Sequence, residues 1–346
     1  MTDHAPTIER ASAPAPGWLP WLIAALIGAC ALALYLPSLD GGLLYDDITL
    51  VREAPTTRSL GAAFGAFLEP MFGYQDGAEV ARGIWRPLNV VWLALGGALS
   101  GEGSYGGHHL VSVLTHAAAA IALARLLALI VRTRTRARAV DAELVAGALA
   151  LLFTAHPASV EAVAWISAVN DPLWALFGFL ALASYERAAL ASRRPLAALA
   201  LMFAALLAKE SAVVLFGLAL LLDWSAGRLG GVVGAARRAA WLAAPITLWF
   251  VLRAVVFEDA AGGLLRRSGD YGLGSALREL TLRVELAGGF VLNALWPAEP
   301  EVFRPIHPAP PEGSTAVRDS ALVLALVVVA AVALARRART RTAAAA

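Results

Sequence analysis

Trp18-Leu19-Pro20-Trp21-Leu22-Ile23-Ala24-Ala25-Leu26-Ile27-Gly28-Ala29-Cys30-Ala31-Leu32-Ala33-Leu34-Tyr35-Leu36-Pro37 is an uncharged apolar run, followed after five residues by Leu43-Leu44-Tyr45-Asp46-Asp47. At about 20 residues it has the length an α-helix needs to cross the hydrocarbon of a bilayer, and it is long for the apolar core of a cleavable signal. It reads as a retained membrane anchor. The polar, Pro/Ala-rich residues 1–17 ahead of it read as a disordered cytoplasmic N-terminus.

The rest of the chain extends this reading. Of its 346 residues 59% are hydrophobic and 16% charged, against roughly 25% charged in soluble domains. The formal net charge is +2, and the arginines fall in short clusters between apolar runs. That spacing argues for topology signals and against a nucleic-acid-binding face, so no nucleic-acid partner is expected. A single cysteine, Cys30, lies inside the first run, which rules out an intramolecular disulfide.

Further runs able to span fall at about 108–131, 142–156, 172–188, 195–208, 211–223, 239–257 and 319–335. Four arginine clusters lie between or after them. These are Arg132, Arg134, Arg136 and Arg138; Arg187, Arg193 and Arg194; Arg228, Arg237 and Arg238; and Arg336, Arg337, Arg339 and Arg341. The positive-inside rule puts all four on the cytoplasmic side. Parity then makes 87–100 an interfacial or re-entrant helix, and it places the short run 286–296 at the outer surface.

The expected fold is therefore an all-α integral membrane protein: a polytopic helical bundle of about eight spans, range seven to ten, with interfacial or re-entrant helices in the outer loops. A transmembrane domain over 18–335 would carry outer loops 38–107 and 258–318, the latter containing the Pro-rich stretch Arg304 to Pro311, and end in a basic cytoplasmic tail 336–346. Both termini would be cytoplasmic, and a bacterial inner membrane is the expected setting. The first outer loop, about 70 residues long, is too large for a simple connector.

Asp46 and Asp47 follow the first span directly, so they lie close to the outer membrane surface, where a carboxylate could serve as general base toward an acceptor hydroxyl. A solvated turn after a helix would have the same sequence. Other ionisable residues sit in or beside apolar runs, where their cost makes each a functional candidate. They are His108, His109, His116, His156, Glu161, Asp171, Lys209, Glu210 and Arg253. His116 lies seven residues after His109, so the two can share a helix face, with helix packing the simpler role for His116. His156, Glu161 and Asp171 bracket an outward turn and could hold a divalent metal, although their spacing matches no standard ligand motif.

Lys209 is the only lysine in the chain. Beside Glu210 it is either one half of a local ion pair or a contact for a phosphate or carboxylate. Arg86 and Arg253 could each clamp a phosphate through a guanidinium fork, or reach to the interface as snorkelling side chains.

In order, the chain presents Tyr45-Asp46-Asp47, Trp85-Arg86-Pro87-Leu88, His108-His109-Leu110-Val111 with His116, Ala155-His156-Pro157, Glu161-Ala162-Val163-Ala164-Trp165-Ile166, Asn170-Asp171 and Ala208-Lys209-Glu210-Ser211. This succession, over roughly residues 18–256, resembles the membrane portion of the C-type (GT-C) glycosyltransferases. It is most similar to the O-mannosyltransferase-like group that carries tetratricopeptide repeats, although no repeats are visible here. The resemblance implies a GT-C-like multi-helix enzyme that uses a polyprenyl-phosphate-linked sugar, mannose-like among the candidates, and a hydroxyl acceptor on protein or glycan. Its site would face the non-cytoplasmic side.

Carried over, Asp46 and Asp47 match the acidic motif of the first loop, with Asp47 taken ahead of Asp46 although nothing in the sequence separates them. Asp171 matches the acid of the second outer loop. Arg86, His109, Lys209 and Glu210 match further motif positions, for donor-phosphate contact or support of the site, and His156 and Glu161 are taken as supporting residues. One departure is Val169-Asn170 where such proteins show Gly-Arg before the acid, so a phosphate contact is missing or relocated to Arg253. Two rivals predict different placements: a transporter would gather its polar residues at the midplane, and a non-catalytic scaffold would leave Asp46, Asp47 and Asp171 scattered.

Overall fold

The computed structural model describes residues 14–74, 83–135, 137–259, 273–295, 297 and 316–343, and among these every regular element is a helix. In chain order the α-helices are α1 (Leu19–Tyr35), α2 (Leu60–Ala63), α3 (Pro87–Leu99), α4 (Gly106–Arg134), α5 (Ala139–Ala155), α6 (Val160–Ala164) and α7 (Asn170–Leu190). They continue with α8 (Leu196–Ala208), α9 (Val214–Ser225), α10 (Gly231–Val256), α11 (Leu273–Leu295) and α12 (Ala316–Ala343).

Local sequence sets several ends. Proline suits the first turn of a helix, where the missing N–H has no helical partner, and α1 and α3 both carry one there. Pro157 forces His156 into an extended conformation (ψ 128°) and so stops α5. α10 starts after Gly230, whose φ of 64° suits glycine.

α4 and α7 form the centre. α4 packs against α1, α3, α5 and α7, and α7 packs against α8 as well. A ridge of small buried side chains, Ala117, Ala120, Ala124 and Ala128, lets neighbouring backbones approach α4 closely. α3 turns back along the first half of α4, and at Gly107 an added Cβ would lie 2.5 Å from the backbone of Leu99 and Ser100, so only glycine fits there. Around this centre α1 and α10 present wide apolar faces outward, with Trp21, Leu26, Leu34, Leu248 and Val255 exposed. Apolar side chains on the outside of a helical bundle are those of an integral membrane protein.

Among the described residues four helical stretches are long and apolar enough to cross a membrane: Leu19–Asp40, Gly106–Arg134, Ile166–Leu190 and Gly231–Val256. A fifth exists if Ala139–Ala155 and Pro157–Ala164, bent by 57°, count as one broken span. The expected count of about eight is not confirmed among the described residues. The runs at 195–208 and 211–223 form helices of 13 and 12 residues, about 20 Å or less at 1.5 Å per residue, because Lys209 adopts an extended conformation between them.

The expected re-entrant segment is α3, 13 residues long. Residues 286–295 of the expected short run belong to a longer helix, the 23-residue α11, which packs on α12. α12 continues to Ala343, so most of the expected tail 336–346 is helical. Residues 1–13 and the Pro-rich stretch 304–311 lie outside the described residues.

Helix directions give the bundle two polar ends. α4, α7 and α9 begin near the acidic loop segment and end among arginines, whereas α5, α8 and α10 run the other way. At the arginine end, Glu186 is fully buried and is bound by Arg134 at 2.8 Å and Arg228 at 2.6 Å. Asp223, also buried, takes Arg228 at 2.8 Å, Arg238 at 3.0 Å and the Tyr185 hydroxyl at 2.6 Å. Burial opposes the charge on Arg228, but Glu186 and Asp223 outweigh it and raise its pKa above the usual arginine value.

Candidate functional site

At the opposite end the first and second loops are stitched together through Asp47. Its Oδ2 accepts the backbone N–H of Leu44 at 3.0 Å, and its Oδ1 accepts the Ser167 N–H at 2.7 Å together with the Ser167 hydroxyl. Asp47 is 1% exposed. Trp165 strengthens the seam by donating its indole N–H to the Leu44 carbonyl at 3.2 Å, and its ring stacks edge-on with Tyr45 at 6.3 Å. Tyr45 itself sits at φ 46°, a left-handed conformation that costs a bulky residue energy and is maintained here by the contacts on either side.

Asp46 has a different environment. It is exposed, and no hydrogen-bond partner is found for its carboxylate among the described residues. It lies within electrostatic reach of Tyr74, whose hydroxyl donates to the Thr49 carbonyl at 2.7 Å. Burial first, then the charges of Glu53 and Asp46, push the Tyr74 hydroxyl up to about 12. The adjacent pair is thus split into one carboxylate committed to three donors and one open to solvent.

Four residues after Ser167, Asp171 accepts the Lys209 ammonium at 2.5 Å and the Trp174 indole at 3.3 Å. The neighbouring Glu210 receives the Arg86 guanidinium as a fork, Nε at 2.9 Å and Nη2 at 2.5 Å. Burial works against the Glu210 carboxylate, but the Arg86 fork outweighs it and keeps its pKa below the ordinary value. Glu161 lies within electrostatic reach of Asp171 and Lys209.

Arg253 approaches from α10. It is 1% exposed, donates to the Gly83 carbonyl, and lies 5.2 Å from the Trp249 ring centroid and 4.7 Å from that of Phe257. Its Nε has no partner, and no carboxylate pairs with it among the described residues. A buried guanidinium without an anion is expensive, and this one is within electrostatic reach of Glu210 and Arg86.

The expected site residues therefore occupy one end of the bundle, linked through Asp47–Ser167, Asp171–Lys209, Glu210–Arg86 and the Gly83–Arg253 contact. His109 is buried beside the same seam; an added Cβ on Gly41 would lie 2.9 Å from its Nε2, and it is within electrostatic reach of Asp47. His116 is buried deeper and pairs through Nε2 with the Thr154 carbonyl at 3.2 Å, between Tyr35 and Phe153, which is a packing role.

His156 stands apart from the ion pairs and uses Nδ1 to accept the Ala158 N–H at 3.2 Å. Among the described residues no three His, Cys, Asp or Glu side chains converge as a metal would require, so His156, Glu161 and Asp171 do not form the divalent site their spacing allowed. Lys209 and Arg86 are each already paired with a carboxylate, which joins the two readings offered for Lys209: the ion pair is real, but its partner is Asp171 and not the adjacent Glu210.

Sequence reasoning missed Ser167, the residue that fixes Asp47, and also the inner acids Glu186 and Asp223. A hydroxyl inside Val163-Ala164-Trp165-Ile166-Ser167-Ala168-Val169 and carboxylates within apolar runs were the available signals.

The chain is 28% identical over 235 residues to the human protein O-mannosyl-transferase TMTC1, covering 64% of this chain and 25% of that protein. To Drosophila melanogaster protein O-mannosyl-transferase Tmtc1 it is 33% identical over 195 residues, covering 55% of this chain and 22% of the relative. These similarities are distant, and the aligned region spans about a quarter of the length of these relatives. No family model matches the chain, and no solved structure matches it.

Proposed function

We propose that the protein is a membrane glycosyltransferase that moves a sugar, mannose-like among the candidates, from a polyprenyl-phosphate donor to an acceptor hydroxyl at the non-cytoplasmic face. The observation that carries this reading is the division of labour at the acidic pair, together with a buried arginine, Arg253, for which no anion is found among the described residues. The similarity to O-mannosyl-transferases supports the class of reaction.

Asp46 is the general base, the reverse of the order favoured from sequence. An acceptor oxygen must approach the basic lone pair, and the lone pairs of Asp47 are taken up by Leu44 and Ser167. Asp47 is a positioning residue: it bolts Tyr45–Asp46 to the second loop. Asp46 removes the proton as the acceptor oxygen attacks the anomeric carbon from the face opposite the phosphate. A new C–O bond forms, the bond to phosphate breaks, and polyprenyl phosphate leaves with the electron pair, so configuration inverts.

Arg253 supplies the charge that receives the phosphate, with Arg86 and Lys209 adding to the local field while Glu210 and Asp171 hold them in place. Positioning and charge stabilisation of this kind account for most of the rate in such a displacement. The proposed site residues gather at one end of the helices, which suits a reaction at the membrane surface better than midplane transport.

The test incubates purified protein with a panel of labelled polyprenyl-phosphate sugars and hydroxyl acceptors. Acceptor-dependent loss of one donor is expected, abolished in Asp46→Asn. An unchanged rate in the Asp46→Asn, Asp47→Asn double variant would sink the assignment.

A further inference from the structure

The arginine end of the bundle holds a second site, independent of the transferase reading. Between the end of α7 and the starts of α8 and α10 lies a pocket of about 380 Å³, lined by Arg193, Arg194, Arg237, Arg238, Tyr185 and Trp241 among others. Its four guanidiniums come from two separate chain segments. Arg238 is neutralised by Asp223 at 3.0 Å, and Glu186 and Asp223 are saturated by Arg134, Arg228, Arg238 and the Tyr185 hydroxyl. No acidic side chain pairs with Arg193, Arg194 or Arg237 among the described residues, and none of the lining side chains is acidic.

A positive-inside signal requires only that arginines lie on one side of the membrane. It does not require three of them to surround a cavity with an aromatic wall. That concave arrangement is complementary to a phosphate, which accepts several guanidinium hydrogen bonds at once.

The surroundings identify the source of the phosphate. Trp241 is 44% exposed, and Leu190 and Leu196, flanking the pocket at the end of α7 and the start of α8, are 52% and 59% exposed. Large apolar side chains left open beside a charged rim match the boundary between headgroups and acyl chains, where tryptophan concentrates. We propose that the pocket binds the phosphate of an anionic lipid headgroup in the adjacent leaflet, with its chains lying along Leu190, Leu196 and Trp241. Basic pockets between membrane helices are suited to this ligand class.

The test uses the full chain in neutral detergent, titrated with phosphatidylglycerol, phosphatidylcholine or inorganic phosphate and read by native mass spectrometry. Arg193→Ala with Arg237→Ala removes two exposed, unpaired charges from the rim. Arg132→Ala with Arg138→Ala removes two charges from the same end, away from the pocket. Each basic residue near a membrane surface contributes enough that losing two should weaken phosphatidylglycerol binding on the order of thirty-fold, against less than about twofold for the control pair. Equal losses in the two variants would overturn the proposal, as would equal affinity for phosphatidylcholine. Displacement of the lipid by equimolar inorganic phosphate would assign the pocket to a soluble anion instead and overturn the lipid. The unmodified chain gives a further check, since phosphatidylglycerol affinity unaffected by added salt contradicts a guanidinium–phosphate contact.

Discussion

Replacing Asp46 and Asp47 separately by asparagine should separate chemistry from architecture. Asp47 accepts three hydrogen bonds, two of them from backbone N–H groups, at a site 1% exposed. An asparagine there keeps one accepting oxygen and turns an NH2 toward groups that are themselves donors. Hydrogen bonds to charged groups contribute about 1.5–3 kcal/mol, and a buried donor left without an acceptor costs a comparable amount. Asp47→Asn should therefore destabilise the protein by about 2–3 kcal/mol, while transfer measured well below the melting temperature continues at a reduced rate. Asp46 is exposed and makes no such bonds, so Asp46→Asn should change stability by no more than about 0.5 kcal/mol. Loss of a general base should nevertheless slow transfer by about 10²–10⁴. Thermal unfolding in detergent and initial rates with one labelled donor measure both. An inactive but fully stable Asp47→Asn, beside an active Asp46→Asn, would refute the reasoning and return the catalytic role to Asp47.

Three further perturbations address the charges around the pair. Glu210 has its pKa held below the ordinary carboxylate value of 4.5 by Arg86, so the ion pair stabilises the protein above that value and the contribution is lost as pH falls through the lower folded value; melting curves of wild type and Glu210→Gln should differ at neutral pH and converge in acid, and a constant difference across pH would contradict the linkage. Arg253→Met removes a buried charge for which no anion is found among the described residues, so stability should hold or rise, while KM for the polyprenyl-phosphate donor rises at least about tenfold; lower stability with unchanged KM would show a structural arginine. Glu186→Gln leaves Arg134 and Arg228 without their shared carboxylate in a fully buried position and should cost about 3–5 kcal/mol, read as a lowered melting temperature with donor affinity preserved.

Much of the helical framework was legible because a membrane demands long, predominantly apolar runs, and Leu19–Asp40, Gly106–Arg134 and Gly231–Val256 carry them. The break at Lys209–Glu210 was legible for the same reason, a charged pair between two apolar runs. The lengths of the resulting pieces were less informative: α8 and α9, at 13 and 12 residues, are well formed but short, and hydropathy does not tell a short packed helix from a complete span. The arginine clusters carried two meanings at once. Arg132 and Arg138 are exposed, as topology signals should be, but Arg134, Arg228 and Arg238 are drawn inward by Glu186 and Asp223. Those acids sit within the apolar runs 172–188 and 211–223, where each needs a basic partner that periodicity does not identify.

The acidic pair marks where local pattern stops being sufficient. Asp46 and Asp47 are chemically identical neighbours, and in an extended or helical segment either could face the interior. What separates them is a contact with Ser167, 120 residues further along the chain, together with the strained φ of Tyr45, which turns one carboxylate inward and leaves its neighbour outside. Neither cause can be read within the first loop alone. The same contact also explains why the second loop contributes to a site whose proposed base lies in the first. Asp47 is fixed by Ser167, and Asp171, four residues later in the first turn of the adjoining helix, reaches Lys209. The orientation of Asp46 and the placement of Lys209 are consequently set by one piece of backbone, residues 165–171, so the separation of the proposed base from this lysine is controlled by a segment that contains neither of them.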